Sequence, residues 1–233
     1  MNPESALSKL KTGQPDYRKL RLSNINTEMF RHVKMLFFWP VYGLLFMFVE
    51  RFYDVEYRAV YSPMDDMIGF NELFLIPYLF WFVFLTGMLV YTFFYDVESF
   101  RRMMHFIIIT YSVTIVIYFV FPTCQELRPI NFERDNILTR ITKAFYNFDT
   151  NTNVCPSIHV IGSWAVVFAA WHSKKEPAFW LKAVFTAMGL LISASTVFLK
   201  QHSIIDVIAA LPLCALGYVL CYKIRSGRGV LKY

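Results

Sequence analysis

Apolar residues in this chain gather into long blocks rather than alternating with polar ones, the pattern of helices in contact with hydrocarbon and not of half-buried strands. Six blocks stand out, near residues 35–50, 73–95, 103–122, 158–172, 179–199 and 203–222. A helix needs about 20 mostly apolar residues to cross a bilayer, so each block predicts a membrane span. The fourth is the shortest and contains polar Ser163 and His172. Ahead of the first block, residues 1–26 are polar and charged with no periodic apolar face, which predicts a flexible or surface-lying tail. Thr27 followed by Glu28 is a start signal for a short interfacial helix through Phe30 and Val33, continuous with the first span. No internal repeat is visible. The expected organisation is an N-terminal segment over residues 1–33 and one all-α, six-span membrane domain over residues 34–233.

Composition narrows the class further. With 56% hydrophobic and only 17% charged residues, the chain has too little polar surface to coat a water-soluble globule. Charge placement then orients it, because short cytoplasmic loops collect Lys and Arg. With the N-terminus inside, 16 of the 23 basic residues fall on the inner side, among them Arg101, Arg102, Lys174, Lys175 and Lys182. The outer loops carry many acids, including Asp54, Glu56, Asp65, Asp66, Glu133, Asp135 and Asp149. Both termini are therefore expected in the cytoplasm of a multi-pass protein of the cell membrane. The formal charge of +6 is answered by anionic lipid headgroups, with no call for nucleic acid. No cleavable signal peptide is expected, since roughly 30 polar residues precede the first apolar run.

The chemistry-bearing residues lie at the outer ends of these spans. His159 opens the fourth block and His202 the sixth, and ionisable groups beside hydrocarbon are read first as functional. The longest loop, residues 123–157, carries Arg128-Pro129 and ends at Pro156-Ser157, where Ser157 is a good N-cap for the His159 helix. Such a helix start presents backbone N–H groups suited to an anion. Chain parity puts Arg128, His159 and His202 on one face of the membrane. His202 and Asp206 are four residues apart, which predicts one helical face and an imidazole oriented by a carboxylate. The aromatic residues of the other outer loop, Phe52, Tyr53, Tyr57 and Tyr61, suit a headgroup-level belt without a catalytic role.

In order and spacing these residues resemble the type 2 phosphatidic acid phosphatase superfamily over residues 121–212. Its first motif ends in Arg-Pro, matched by Arg128-Pro129; its Pro-Ser-Gly-His is matched with Ile158 in place of Gly; its third motif is matched by Ser195, His202 and Asp206. Two phosphate-binding cations of the pattern are absent, because Phe121 stands where the family has Lys and Thr196 where it has Arg. Lys200 is the nearest replacement, with Arg134 and Arg140 as further contributors from the loop. The altered cation set is similar to that of the branch with inositol phosphorylceramide and sphingomyelin synthases.

The resemblance implies a six-helix bundle with an extracytoplasmic site and a lipid phosphate substrate handled without metal or other cofactor. It implies His202 as nucleophile, Asp206 as its orienting carboxylate, His159 as general acid and base, and Arg128, Ser157 and Lys200 as phosphate ligands. Hydrolysis of a lipid phosphate monoester or diphosphate is the leading expectation. Transfer of a phosphorylated headgroup to a lipid alcohol is the alternative, and a non-catalytic lipid-phosphate carrier a third. A metal site from two His and one carboxylate competes formally. The Arg beside the motif favours an anionic ligand, and no second carboxylate cluster is expected near these helix ends. His32, His105 and His172 are expected to be structural. Cys124 and Cys155 either form a disulfide that ties the Arg128 segment to the His159 helix or remain free thiols, while Cys214 and Cys221 pack in the last helix.

Overall fold

In a computed structural model, residues 15–175 and 177–224 of the chain are described, and they form a bundle of helices. The expected tail before residue 15 and the C-terminal end after residue 224 lie outside the described residues. A 3₁₀ stretch, Arg31–Phe37, runs directly into α1, Phe38–Arg51. Short α2, Pro63–Met67, lies in the loop that follows. After a 3₁₀ turn at Glu72–Phe74 come α3, Leu75–Tyr95, and α4, Val97–Val120. The long loop contains a helix of its own, α5, Ile137–Phe148. The chain closes with α6, Ile158–Trp171, α7, Phe179–Phe198, and α8, Ile204–Tyr218, which continues as a π-helical turn through Ile224. Two residues each from β1, Arg58–Ala59, and β2, Thr123–Cys124, pair in parallel and stitch the outer loops together.

Among the described residues, five helical stretches are long and apolar enough to cross a membrane: Arg31–Arg51, Glu72–Tyr95, Val97–Val120, Phe179–Phe198 and Ile204–Ile224. The sixth apolar helix, Ile158–Trp171, is shorter than a span requires by length alone. That short helix is the centre of the fold. It packs against α3, α4, α7 and α8, and Gly162, Ser163, Ala165, Ala169 and Ala170 let those neighbours approach closely. At Gly162 an added Cβ would lie 2.7 Å from the Tyr111 hydroxyl and 3.0 Å from the Trp81 ring, so only hydrogen fits.

Several expectations need correction. The helix expected to start at Thr27 begins instead at Arg31 with 3₁₀ geometry, because the Thr27 hydroxyl donates back to the Asn24 carbonyl rather than capping forward. The third block starts six residues earlier than its apolar run, at Val97, because Asp96 caps it. Helix α5 was not expected; Asn136 caps it through the Leu138 and Thr139 N–H groups, and Leu138 and Phe145 bury against Tyr78 and Leu75. Several buried hydroxyls inside the helices return to their own backbone, as Thr92 does to the Met88 carbonyl at 2.7 Å and Ser193 to the Gly189 carbonyl at 2.8 Å, whereas the Thr114 hydroxyl in α4 is buried without a partner. The three remaining histidines are held by local contacts: His32 Nε2 meets the Tyr17 hydroxyl at 2.8 Å, His105 Nδ1 the Arg101 carbonyl, and His172 the Phe168 carbonyl and Tyr218 hydroxyl.

Asp96 is the strongest polar joint at the end of the bundle opposite the histidine pair. Its carboxylate accepts from Ser99 N–H at 3.2 Å, Ser99 Oγ at 2.8 Å, Ser173 Oγ at 2.7 Å and Lys174 N–H at 3.0 Å, tying the start of α4 to the turn after α6. Asp96→Ala removes a helix cap and an inter-helix tie together. The expected loss is about 1–2 kcal/mol, the upper part of the range for a cap, read as a lower unfolding midpoint in detergent micelles.

Candidate active site

The site begins with a helix cap. Ser203 is the N-cap of α8, its Oγ accepts from Ile205 N–H, and Asp206 Oδ2 reaches back to accept from Ser203 N–H at 2.9 Å, which completes a capping box. The same Oδ2 lies 3.2 Å from His202 Nδ1. His202 therefore precedes the helix and does not share a face of it with Asp206, as the four-residue spacing had suggested. The pair is made by a carboxylate turning back over the helix start. Two backbone bonds to the Thr196 carbonyl, from Gln201 N–H at 3.0 Å and His202 N–H at 3.1 Å, fix the preceding turn. Lys200 in that turn has a left-handed φ of 53°.

His159 is brought to His202 by the start of α6. Ser157 is its N-cap residue, and Ser157 N–H donates to the Asp206 carbonyl at 3.1 Å, joining the two helix starts. The imidazole centroids are 5.8 Å apart at 65°. The His159 ring rests on Tyr78 at 4.5 Å and Trp81 at 4.5 Å, is 8% exposed, and has no hydrogen-bond partner at either nitrogen. Both histidines line a cavity of about 30 Å³ with Tyr78, Glu50, Asp149 and Gln201 among its walls. That is room for water, not for a lipid headgroup.

The other expected site residues divide. Arg128 joins the cluster through Gln201 Oε1, and its guanidinium also donates to the Tyr146 and Asp149 carbonyls, each at 3.0 Å, and to that of Thr150 at 2.8 Å, while lying 4.5 Å over the Tyr146 ring. Its Nε has no partner. Ser157 Oγ is fully buried and also unpartnered, so Ser157 occupies the cap position without making the cap bond expected of it.

Lys200 is directed elsewhere, with Nζ donating to the Asp65 carbonyl at 2.6 Å. Arg134 pairs with Glu72 at 3.3 Å, and Arg140 makes a two-pronged contact with Asp135. Thr196, at the family's Arg position, is fully buried with its hydroxyl on the Ser193 carbonyl. Phe121, at the Lys position, lies under the Arg58 guanidinium. None of these replaces the missing cations at the cavity.

Acidic walls were missed. Glu50 accepts from Thr150 Oγ1 and, at 3.3 Å, from Asn153 Nδ2, while Asp149 accepts from Tyr78 Oη and Gln201 Nε2, each at 3.3 Å. Burial pushes the Asp149 carboxyl up, opposed by Arg128 and His202. In the sequence Asp149 marked only an outer loop, and nothing in its spacing tied it to His202. Glu50, an acid closing the first apolar block, was the readable signal. Among the described residues no group of three or more His, Cys, Asp or Glu is arranged to hold a metal ion, and the His202–Asp206 contact binds the two side chains to each other.

A family model described as the PAP2 superfamily matches residues 109–229, more than half of the chain and all of α6 to α8. The chain belongs to the PAP2 superfamily. No curated protein and no solved structure matches it. Membership makes it a phosphatase- or phosphotransferase-type lipid enzyme, and the matched stretch holds Arg128, Ser157, His159, Lys200, His202 and Asp206.

Cys124 and Cys155 are free thiols in this structure, the second of the two alternatives for that pair. Burial, with Asp206 nearby, pushes the Cys155 thiol up to about 12. A raised value keeps the thiol protonated through neutral pH, so alkylation of Cys155 in the intact, unreduced protein should be slow at pH 8 and accelerate only as pH approaches 12. Peptide mass spectrometry against a pH series checks both the free thiol and its protonation.

Proposed function

We propose that this PAP2 protein is an integral-membrane lipid phosphatase that hydrolyses a lipid phosphate monoester or diphosphate through a phosphohistidine at His202. The observation that carries this reading is the pairing of a carboxylate-tethered imidazole with an unpartnered one 5.8 Å away at one cavity. His202 Nε2 attacks phosphorus, and a P–N bond forms as the bond to the leaving oxygen breaks. His159 gives its proton to that oxygen. The neutral His159 then takes a proton from water, whose oxygen attacks phosphorus and releases phosphate and His202.

Asp206 holds Nδ1 and offsets the positive charge of the phosphohistidine. Ser157 Oγ and Arg128 Nε, both buried without a partner and one step behind the cavity wall, are the donors this reading assigns to the phosphoryl oxygens. Lys200 is left out of this set because its ammonium is bound to the Asp65 carbonyl. In the bilayer the short Ile158–Trp171 helix serves as a sixth span, both termini are cytoplasmic, and the site faces the extracytoplasmic side.

A second reading, transfer of a phosphorylated headgroup to a lipid alcohol, is favoured by one feature of the cavity. Glu50 and Asp149 line it and no Lys or Arg does among the described residues. Such a wall suits a singly charged phosphodiester better than a dianionic monoester.

The test is product analysis of purified protein given phospholipids, lipid alcohols and prenyl phosphates. Free phosphate supports hydrolysis, a new phosphodiester supports transfer, and unchanged lipid throughout overturns both. His202→Ala should abolish turnover and the trapped phosphohistidine. His159→Ala should lower kcat about 10²- to 10⁴-fold. Wild-type turnover by His202→Ala would end the assignment.

A further inference from the structure

The loop between the first two membrane helices has no part in the chemistry above, yet it is bonded to the turn that carries His202 at four points. Asn71 N–H donates to the Phe198 carbonyl at 3.0 Å, and Lys200 Nζ to the Asp65 carbonyl at 2.6 Å. The Asp65 side chain takes the other two bonds: Oδ2 accepts from Ser203 Oγ at 2.6 Å and Oδ1 from Ile204 N–H at 2.8 Å. Ring stacking of Phe74 on Phe198, centroids 4.2 Å apart and 8° from parallel, closes the joint. Asp65 is fully buried.

Two carboxylates thus meet at the start of α8. Asp206 takes Ser203 N–H and His202 Nδ1, whereas Asp65, from across the bundle, takes the Ser203 hydroxyl and the next free N–H of the helix. A buried helix start requires its N–H groups to be satisfied, and a negative charge there is favoured by the helix dipole. The Asp65 carboxylate is itself held in place, since Ser62 caps α2 and its N–H binds Asp65 Oδ2 at 2.8 Å. Removing the Asp65 carboxylate would leave the Ser203 hydroxyl and the Ile204 N–H without that partner and free to shift together, while the Lys200 bond to the Asp65 backbone carbonyl stays. Ser203 is the residue between His202 and the helix.

We propose that Asp65 is a positioning residue for catalysis: it clamps Ser203 so that His202 keeps its contact with Asp206 and its aim across the cavity toward His159. The proposal rests on His202 being the nucleophile. Asp65 touches no reacting atom, so its loss acts on geometry in the chemical step and leaves substrate binding nearly unchanged.

The experiment compares kcat, KM and unfolding midpoint for the full-length enzyme in micelles carrying Asp65→Ala, Asp65→Asn, Ser203→Ala, the double change Asp65→Ala with Ser203→Ala, and Asp66→Ala. Asp65→Ala should lower kcat up to about 10²-fold, the effect of a misplaced reacting group, with KM within about twofold. Asp65→Asn keeps an oxygen for the Ile204 N–H and should fall between Asp65→Ala and wild type; it also serves if Asp65→Ala does not fold. The double change should cost no more than the larger single one, because the two groups act as one contact. Asp66→Ala, at an exposed carboxylate bonded to Tyr61, should leave kcat unchanged. Folded Asp65→Ala and Asp65→Asn proteins with wild-type kcat, or losses that simply multiply with Ser203→Ala, overturn the proposal. His202→Ala in parallel separates the two levels: turnover that survives it removes the nucleophile assignment, whereas a dead His202→Ala beside a normal Asp65→Ala removes only the clamp.

Discussion

The hydrogen bond from Ser157 N–H to the Asp206 carbonyl is the constraint on which the site depends. It joins the starts of α6 and α8, two helices reached by different loops, and sets the distance between the histidines beside those starts. A buried N–H left unpaired costs about 1–3 kcal/mol, so the two helix starts cannot separate without a penalty. Asp206 thereby serves three partners from one residue. Its carbonyl holds α6, and its carboxylate holds both Ser203 and His202.

The outer loops act as scaffold as much as connection. Parallel pairing of Arg58 with Thr123 and Ala59 with Cys124 fixes one to the other. Arg128 then gathers the end of α5 and the stretch after it by donating to three backbone carbonyls, and reaches the side chain of Gln201, the residue beside His202. A guanidinium suits this work, having several donors in one rigid plane. The long loop consequently contributes walls of the cavity, and Tyr78 with Phe145 is one of its contacts with the membrane helices.

The spans and the order of motif residues were legible because both depend on local facts: runs of apolar residues and fixed spacing along the chain. Five of the six blocks coincide with long apolar helices and the sixth with a shorter one. What spacing does not record is which way a turn points. His202 and Asp206 looked like neighbours on a helix, but the polypeptide enters α8 only after His202, and a capping box makes the contact instead. Lys200 stood two residues from His202, yet its left-handed backbone sends the ammonium to another loop. Asp65, Glu50 and Asp149 come from three separate segments and meet the motif residues only through tertiary packing. The start of α4 was misplaced for a simpler reason: Arg101 and Arg102 break the apolar run, while the cap at Asp96 was the better marker.

The narrow space at Gly162 has a mechanical consequence. Gly162 and His159 lie one turn apart on the same side of α6, and the Trp81 ring fills the notch above the glycine while leaning on the imidazole. One indole therefore serves as a wedge between two helices and as a backrest for the His159 ring. The spacing of α3 from α6 and the seat of the His159 ring are thus set by the same side chain.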